Sequence, residues 1–365
     1  MTKKRRCFYI IIIVFPLFFF YVNIFKFGTQ TQKYDLNRFD IKIYTKPLTF
    51  DIRDVIDRHL YNNNPLPSTI VNPHPYHYRY SPLPCNQYSD KSYIPVLVKS
   101  FVGSIELREV LRQLADRMSA IRLVFMLGFR EEYVDRISKE YETYKDLIQE
   151  DFIDVYRNNT LKTIMGFNWA TEYCPEAKLL LFIDDDFLVH WTKMVSFLSR
   201  FKDNSTNLFF GKRVSDATPE RDKQSAWYVD SNVYPFKTYP AYIAGGVFVV
   251  SRDVSRKFKM AFPYVKYIGV DDVYLGIVSN ILGIKPSYCA ELARRDRLSL
   301  AVECSHIPSE LATATCQTKL RIPMELLTKE MESVTGKFIY LTMNAMKSVE
   351  MLLSFLQYIL TFGQL

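Results

Sequence analysis

Three consecutive carboxylates, Asp184, Asp185 and Asp186, follow directly on the wholly apolar run Leu179 to Ile183. Such a run reads as a short strand covered on both faces. In open α/β sheets, ligands bind in the crevice beyond the carboxyl ends of the strands. Alternation along an extended chain turns Asp184 and Asp186 to one side and Asp185 to the other. Two hard oxygen donors at that spacing suit Mn²⁺ or Mg²⁺, with a substrate diphosphate completing the shell. Adjacent like charges raise one another's cost of ionisation, and a divalent cation relieves it. The plainer alternative is an exposed acidic turn.

A second acidic pair, Asp271-Asp272, opens the segment VDDVYLGI. Asp271 can cap a helix running from Val273 to Leu282, with Gly283 as its stop. Asp272 then falls in the first turn, where the helix dipole lowers its pKa and keeps it ionised. An ionised carboxylate facing a cleft is a candidate general base. Between the two acidic clusters lie Gly245 and Gly246. They allow close backbone approach to a ligand, or a tight turn into the strand Val247 to Val250. Trp227, Tyr228, Tyr239 and Tyr242 precede them, with flat apolar faces and polar tips that suit sugar rings as well as a core.

The elements that must position these residues begin near residue 91. Tyr93 to Val98, Leu123 to Leu127, Leu179 to Ile183, Leu208 to Phe210 and Val247 to Val250 read as strands. Glu106 to Met118, Glu131 to Tyr144, Thr160 to Tyr173 and Trp191 to Phe201 read as helices. Strands alternating with helices predict an α/β body with a mostly parallel central sheet. Residues 28–90 are polar and rich in Pro and Asn, and read as a stem. The histidines in that stretch, His59, His74 and His77, have no acidic or Cys companions at ligand spacing and read as solvated. Residues 346–365 form an apolar segment, read as a helix packed on the body, with membrane-surface contact as the alternative.

The amino terminus sets the compartment. Residues 1–7 carry Lys3, Lys4, Arg5 and Arg6, and residues 8–27 hold an uncharged apolar run. That pattern predicts a cytosolic tail and an uncleaved transmembrane signal anchor, type II, with the body on the lumenal side; a cleaved secretory signal is the alternative. Asn158-Asn159-Thr160 and Asn204-Ser205-Thr206 are acceptor tripeptides for N-glycosylation at Asn158 and Asn204. Beyond Cys7, five cysteines remain (Cys85, Cys174, Cys289, Cys304 and Cys316), an odd number, so at least one is free or paired between chains. Their pairing and the oligomeric state stay open. The formal charge of +8 includes the four N-terminal cations, and no basic stripe or nucleic-acid motif accompanies it, which argues against nucleic acid as a partner. Hydrophobic residues at 48% exclude wholesale disorder.

Four segments, in order, resemble the β-1,3-galactosyltransferase family (glycosyltransferase family 31). Asp151 to Thr163 (DFIDVYRNNTLKT) is similar to its D-F-x-D-x-Y block, and Thr171 to Phe187 (TEYCPEAKLLLFIDDDF) to its C-x-x-A-K…DDD stretch. Tyr239 to Ser251 (YPAYIAGGVFVVS) is similar to its Y-P-x-Y block, and Asp271 to Gly276 (DDVYLG) to its [ED]-D-V-Y-x-G block. The resemblance implies a GT-A-like domain over residues 91–345, a Golgi type II membrane topology, a UDP-sugar donor, Mn²⁺, and an acceptor on glycoprotein or glycolipid. It implies inverting transfer that forms a β-1,3 bond. Carried over by position, Asp186 is a direct metal ligand and Asp184 a metal or nucleotide contact. Asp185 and Lys162 become donor contacts, and Asp272 the base. His306 becomes a metal ligand, and Trp227, Tyr228, Tyr242, Gly245 and Gly246 line the sugar sites. The family's R-x-x-I-R-x-T-W segment is met by Arg108 to Ala115, which keeps both arginines and loses the Thr and Trp. Arg108 and Arg112 are accordingly expected at the diphosphate or uridine. A fold-retaining protein without catalysis is the second reading.

Overall fold

The computed structural model describes residues 40–87, 93–116, 118–201, 205–293 and 300–303. The anchor and cytosolic tail, Asn204, His306 and the C-terminal apolar segment lie outside these residues. Among the described residues no helix is long and apolar enough to cross a membrane.

One eight-stranded sheet organises the protein. Its elements in chain order are β1 (Tyr78–Tyr80), β2 (Ile94–Lys99), β3 (Ile121–Phe129), β4 (Leu147–Ile153), β5 (Leu179–Asp184), β7 (Phe209–Val214), β8 (Tyr242–Ser251) and β9 (Ser287–Tyr288). A short β6 (Phe187–Val189) pairs with β10 (Ala301–Glu303) in a separate ribbon. The main sheet runs β1-β4-β3-β2-β5-β8-β7-β9. Its centre, β4-β3-β2-β5, is parallel, while β8 runs antiparallel to β5 and β7. The expected parallel sheet is therefore present at the centre, with antiparallel pairing on both sides, β1 on β4 and β8 on β5.

Alternation along the central strands explains why both faces are buried. Leu97, Val124, Met126, Phe182 and Phe248 point to one face, against Ile164 and Phe167 of α5 (Asn159–Tyr173), Phe258 of α7 (Arg252–Ala261) and Ile277 of α8 (Asp271–Leu282). Val96, Val98, Phe125, Leu181 and Val249 point to the other. There they meet Leu111 of α3 (Ile105–Ala115), Ile137 of α4 (Val134–Tyr144) and Met194 of α6 (Trp191–Ser199). Strands with period-two apolar residues on both faces need helices on both sides.

The stretch expected as a stem is folded onto this body from residue 40 to residue 87. α1 (Lys42–Thr45) and α2 (Ile52–Asn62) bury Tyr44, Ile52 and Ile56 in the core. Asp51 caps α2 by accepting from the Asp54 N–H at 3.2 Å, and Asn63 ends it in the left-handed region. Lys257 of α7 meets Asp57 at 2.8 Å, and the buried Asn72 donates to the Phe262 carbonyl at 3.1 Å. His74 is engaged as well, 2.6 Å from Glu150. β1 then adds to the sheet beside β4, and Cys85 is disulfide-bonded to Cys174 at the end of α5. Cys289 is buried and unpaired.

The Cys85–Cys174 bond closes a long loop, so most of its effect falls on the unfolded chain. Cys174→Ala should lower the unfolding free energy by roughly 2–4 kcal/mol. A denaturant midpoint unchanged relative to the oxidised protein would show that the clasp contributes nothing.

Candidate functional site

The parallel register of β2 and β5 decides the site. It places Lys99, the last residue of β2, opposite Asp184, the last of β5. Lys99 is only 6% exposed, and its Nζ lies 2.9 Å from Asp184 Oδ1 and 2.7 Å from Asp271 Oδ2. Thr163 of α5 donates its hydroxyl to the same Asp271 oxygen at 3.0 Å. One ammonium thus joins the acidic end of β5 to the first residue of α8. Burial works against the charge of Lys99, but the two carboxylates outweigh it and raise its pKa. Lys99 was not apparent as a site residue in the sequence; the signal was a single Lys closing an otherwise apolar strand.

Only the first carboxylate of the acidic motif continues the strand. Asp184 ends β5, and Asp185 and Asp186 form a turn before β6. Asp186 is exposed at that turn. Burial pushes Asp184 up to about 6 despite Lys99. Asp185 donates its backbone N–H to the Lys99 carbonyl at 3.0 Å, and its side-chain Oδ2 is buried with no hydrogen-bond partner. Burial raises the Asp185 pKa against the opposing pull of Ser100, Lys162 and Arg108.

Asp271 and Asp272 divide their work differently from the expectation. Val270 occupies the N-cap position of α8, and Asp271 is spent on Lys99 and Thr163 rather than on a cap. Asp272 accepts from the Val273 N–H at 2.7 Å and the Gly245 N–H at 3.3 Å. Its pKa is not depressed. Burial, then the neighbouring Asp271 carboxylate, push it up to about 7, with Lys99 and the two N–H groups opposing. The helix dipole loses to desolvation here.

The glycine pair lies inside β8, not before it. A Cβ on Gly245 would sit 3.2 Å from Lys99 Nζ and 3.5 Å from Asp272 Cβ, so the bare backbone makes room for the buried cation. At Gly246 a Cβ would collide with the Phe187 ring. Both glycines serve close intramolecular approach. Tyr242 packs beside Tyr239 at the start of the same strand, with its ring half-buried.

Arg108, Arg112 and Lys162, expected at the donor, are built into the scaffold. Arg108 is 0% exposed, and all five of its N–H groups are used. They go to both Glu140 oxygens, the Ser100 hydroxyl, and the Phe101 and Val102 carbonyls. Arg112 binds Asp146 at 2.8 Å and Glu140 at 2.6 Å, with its guanidinium over the Tyr144 ring. Lys162 Nζ donates to the Ser100 carbonyl at 2.6 Å and to Asp154 Oδ1 at 2.8 Å. Asp154 Oδ2 in turn accepts from the Val102 and Gly128 N–H groups. Arg108, Lys162 and Asp154 fix the loop that leaves β2 at the carboxyl edge of the sheet, and Arg112 ties its helix to Asp146 and Glu140. Asp154 was missed in the sequence, although it is the second acid of the D-F-x-D block.

Trp227 and Tyr228 lie in the long connection between β7 and β8. The Trp227 indole N–H donates to the Tyr156 hydroxyl at 2.7 Å, and the Tyr228 hydroxyl donates to Asp230 at 2.9 Å. Asn158 ends a 3₁₀ turn, and its amide donates to the Ile153 carbonyl at 2.8 Å. Thr160 of the same tripeptide is fully buried, with its hydroxyl on the Ile268 carbonyl. Asn158 itself stays half-exposed, while Thr160 packs into the body.

The sequence model described as galactosyltransferase matches residues 107–290, half of the chain. The chain belongs to the galactosyltransferase family. It is 35% identical over 202 residues to a β-1,3-galactosyltransferase (brn) of Drosophila melanogaster, covering 54% of this chain and 62% of that relative. It is 36% identical over 173 residues to the lactosylceramide 1,3-N-acetyl-β-D-glucosaminyltransferase of Homo sapiens, 46% of each chain. To lactosylceramide 1,3-N-acetyl-β-D-glucosaminyltransferase B of Danio rerio it is 30% identical over 270 residues, 68% of this chain and 70% of that one. With the first and second of these the match spans about half to three-fifths of the relative's length. The four ordered motifs and the α/β fold with a parallel centre agree with this membership.

Replacing Arg108 leaves Glu140 buried without its main partner. Arg108→Met should cost about 3–5 kcal/mol of stability. Calorimetric titration of the variant with UDP, at a temperature where it remains folded, should give near-normal affinity. A large loss of UDP affinity at unchanged stability would return Arg108 to the donor site.

Proposed function

We propose that the protein transfers a hexose or N-acetylhexosamine (galactose, GlcNAc or GalNAc) from a UDP-sugar to the 3-hydroxyl of a glycan, with inversion, forming a β-1,3 linkage. The observation that carries this reading is the meeting of the two acidic motifs at the carboxyl edge of the sheet. Lys99 holds Asp184 and Asp271 together, and Asp272 stands beside them with a pKa near neutrality. The names of the relatives support the same chemistry.

In this reading the acceptor hydroxyl gives its proton to the Asp272 carboxylate as its oxygen bonds to the anomeric carbon. UDP leaves from the opposite face of the sugar, so an α-linked donor gives a β-linked product. A base with a pKa of about 7 balances the fraction ionised against its strength as a proton acceptor. The N–H groups of Gly245 and Val273 hold its two oxygens in place. The orphaned, buried Asp185 Oδ2 fits a hydrogen-bond donor supplied by the nucleotide, such as a ribose hydroxyl.

Mn²⁺ or another divalent cation belongs to the proposal as well. Among the described residues no cluster of three His, Cys, Asp or Glu side chains could hold a metal by itself. Asp186 is exposed, and the Asp184 side chain is 34% exposed. These two carboxylates fit a cation that also takes oxygens from the donor diphosphate. The cation, when bound, neutralises charge on the departing UDP. His306, which lies outside the described residues, is proposed as a further ligand on the family resemblance alone.

The altered Arg108 to Ala115 segment motivated the non-catalytic reading. The two arginines it keeps are paired inside the scaffold, and the acidic residues of the candidate site are all present. The body is further proposed to stand in the Golgi lumen on a single type II anchor. The basic-then-apolar N-terminus and the Cys85–Cys174 disulfide support that placement. The acceptor is a glycoprotein or glycolipid glycan.

Asp272→Asn should leave UDP binding intact and lower kcat by on the order of 10²–10⁴; wild-type turnover in the variant would remove Asp272 from the chemistry. Wild-type kcat/KM should rise with pH, since only ionised Asp272 accepts a proton, and level off above about 7. Lys99→Met removes the cation that opposes protonation, so this limb should move to higher pH; a limb that stays put would separate it from Asp272. Asp186→Ala should abolish Mn²⁺-stimulated UDP release, and full metal response in that variant would exclude Asp186 as a ligand.

A further inference from the structure

Two aromatic side chains beside the acidic pocket are exposed yet fixed. Trp227 is 62% exposed and Tyr156 is 51% exposed. They are joined through the indole N–H and the phenol oxygen. Tyr156 opens the 3₁₀ turn that follows β4, so it sits at the same carboxyl edge of the sheet as Asp184. Beyond partial burial and the Trp227 bond, the charges of Asp271, Asp272 and Lys99 all act on its phenol. Tyr156 therefore lies on the sheet edge that carries the acidic cluster.

The Trp227 side is held from beneath. Arg221 donates to the Val229 carbonyl at 2.6 Å and the Tyr234 carbonyl at 2.6 Å. The Val229 N–H returns to the Glu220 carbonyl at 3.0 Å, and the Trp227 N–H goes to the Ser225 hydroxyl at 3.1 Å. Arg157, next to Tyr156, reaches across to the Tyr228 carbonyl. Two distant segments are thus locked so that a pair of rings faces solvent. Ordering the rings in advance lowers the entropy lost when a ligand stacks on them. Tyr156 accepts the indole bond, so its own O–H remains available to donate.

Resting on the transferase reading above, we infer that Tyr156 and Trp227 form the acceptor subsite. The rings take the apolar face of the acceptor's terminal pyranose, and the Tyr156 hydroxyl binds one of its hydroxyls, orienting the attacking 3-hydroxyl toward Asp272. Tyr156 is the new assignment. It turns a lone exposed tryptophan into a two-point contact that fixes both the plane and the rotation of the sugar. The proposed donor contacts, Asp185 and the acidic turn, are different residues from this pair, so the two binding steps are separable.

The test uses the full-length protein and its Trp227→Ala, Trp227→Phe and Tyr156→Phe variants. Acceptor KM and donor KM are measured separately with UDP-galactose and UDP-GlcNAc against β-lactoside and β-N-acetylglucosaminide acceptors. Binding of the same acceptors is also followed by saturation-transfer NMR, which needs no turnover. Trp227→Ala should raise acceptor KM roughly tenfold and Trp227→Phe by less, with donor KM unchanged. Tyr156→Phe, which keeps the ring, should raise acceptor KM roughly threefold to tenfold. Unchanged acceptor KM and unchanged acceptor signals in all three variants would overturn the subsite. If the wild type turns over no pairing but acceptor binding is lost in Trp227→Ala, the subsite stands and the catalytic reading falls.

Discussion

The buried contact of Lys99 with Asp184 and Asp271 is the interaction on which the geometry of the pocket depends. It is set by backbone register, because the parallel pairing of β2 with β5 puts the two residues side by side at the ends of their strands. Taking an ammonium and two carboxylates out of water is costly, and removing one partner would leave the others unpaired in a poorly solvated place. The arrangement therefore ties the sheet edge to the start of α8. Gly245 follows from it, since a side chain there would press on the cation. The state of Asp272 follows as well: after burial, the Asp271 carboxylate raises its pKa more than Lys99 lowers it.

A second polar network works at the same edge with different chemistry. Arg108 and Lys162 gather the carbonyls of Ser100, Phe101 and Val102, while Asp154 gathers the N–H groups of Val102 and Gly128. A loop leaving a strand has no sheet partners for these groups, and buried backbone polar atoms must find others. Charged side chains from α3, from α5 and from the turn after β4 supply them. The result is a loop held at the sheet edge by charged side chains whose polar atoms are spent on the protein's own backbone and carboxylates.

Much of this was legible in the sequence where periodicity or a local run carried it. The apolar run before Asp184 gave away a covered strand with an acidic carboxyl end. The α8 helix and its Gly283 stop were readable from composition. What failed were questions of burial and long-range pairing. Asp272 reads as ionised from its helix position, because the dipole is local and the desolvation that overrides it is not. Arg108 and Arg112 read as anion contacts, because a motif match cannot say that Glu140 and Asp146 wait on other elements. Residues 40–87 read as a stem because Pro and Asn mask the cap at Asp51 and the apolar triplet Ile52, Val55 and Ile56, which together did announce a helix.

The clasping of that N-terminal stretch has a consequence for reach. Its helices lie against α7 and α8, its strand extends the sheet, and a disulfide seals its far end. None of it is left to act as a spacer. With the proposed anchor ending at Phe27, only residues 28–39 can separate the folded body from the bilayer. Fully extended, a dozen residues span at most about 40 Å. The enzyme would thus work as a short-leashed body, sampling a thin layer of the lumen next to its own membrane, where sugar chains rooted in that membrane or on its neighbours are concentrated.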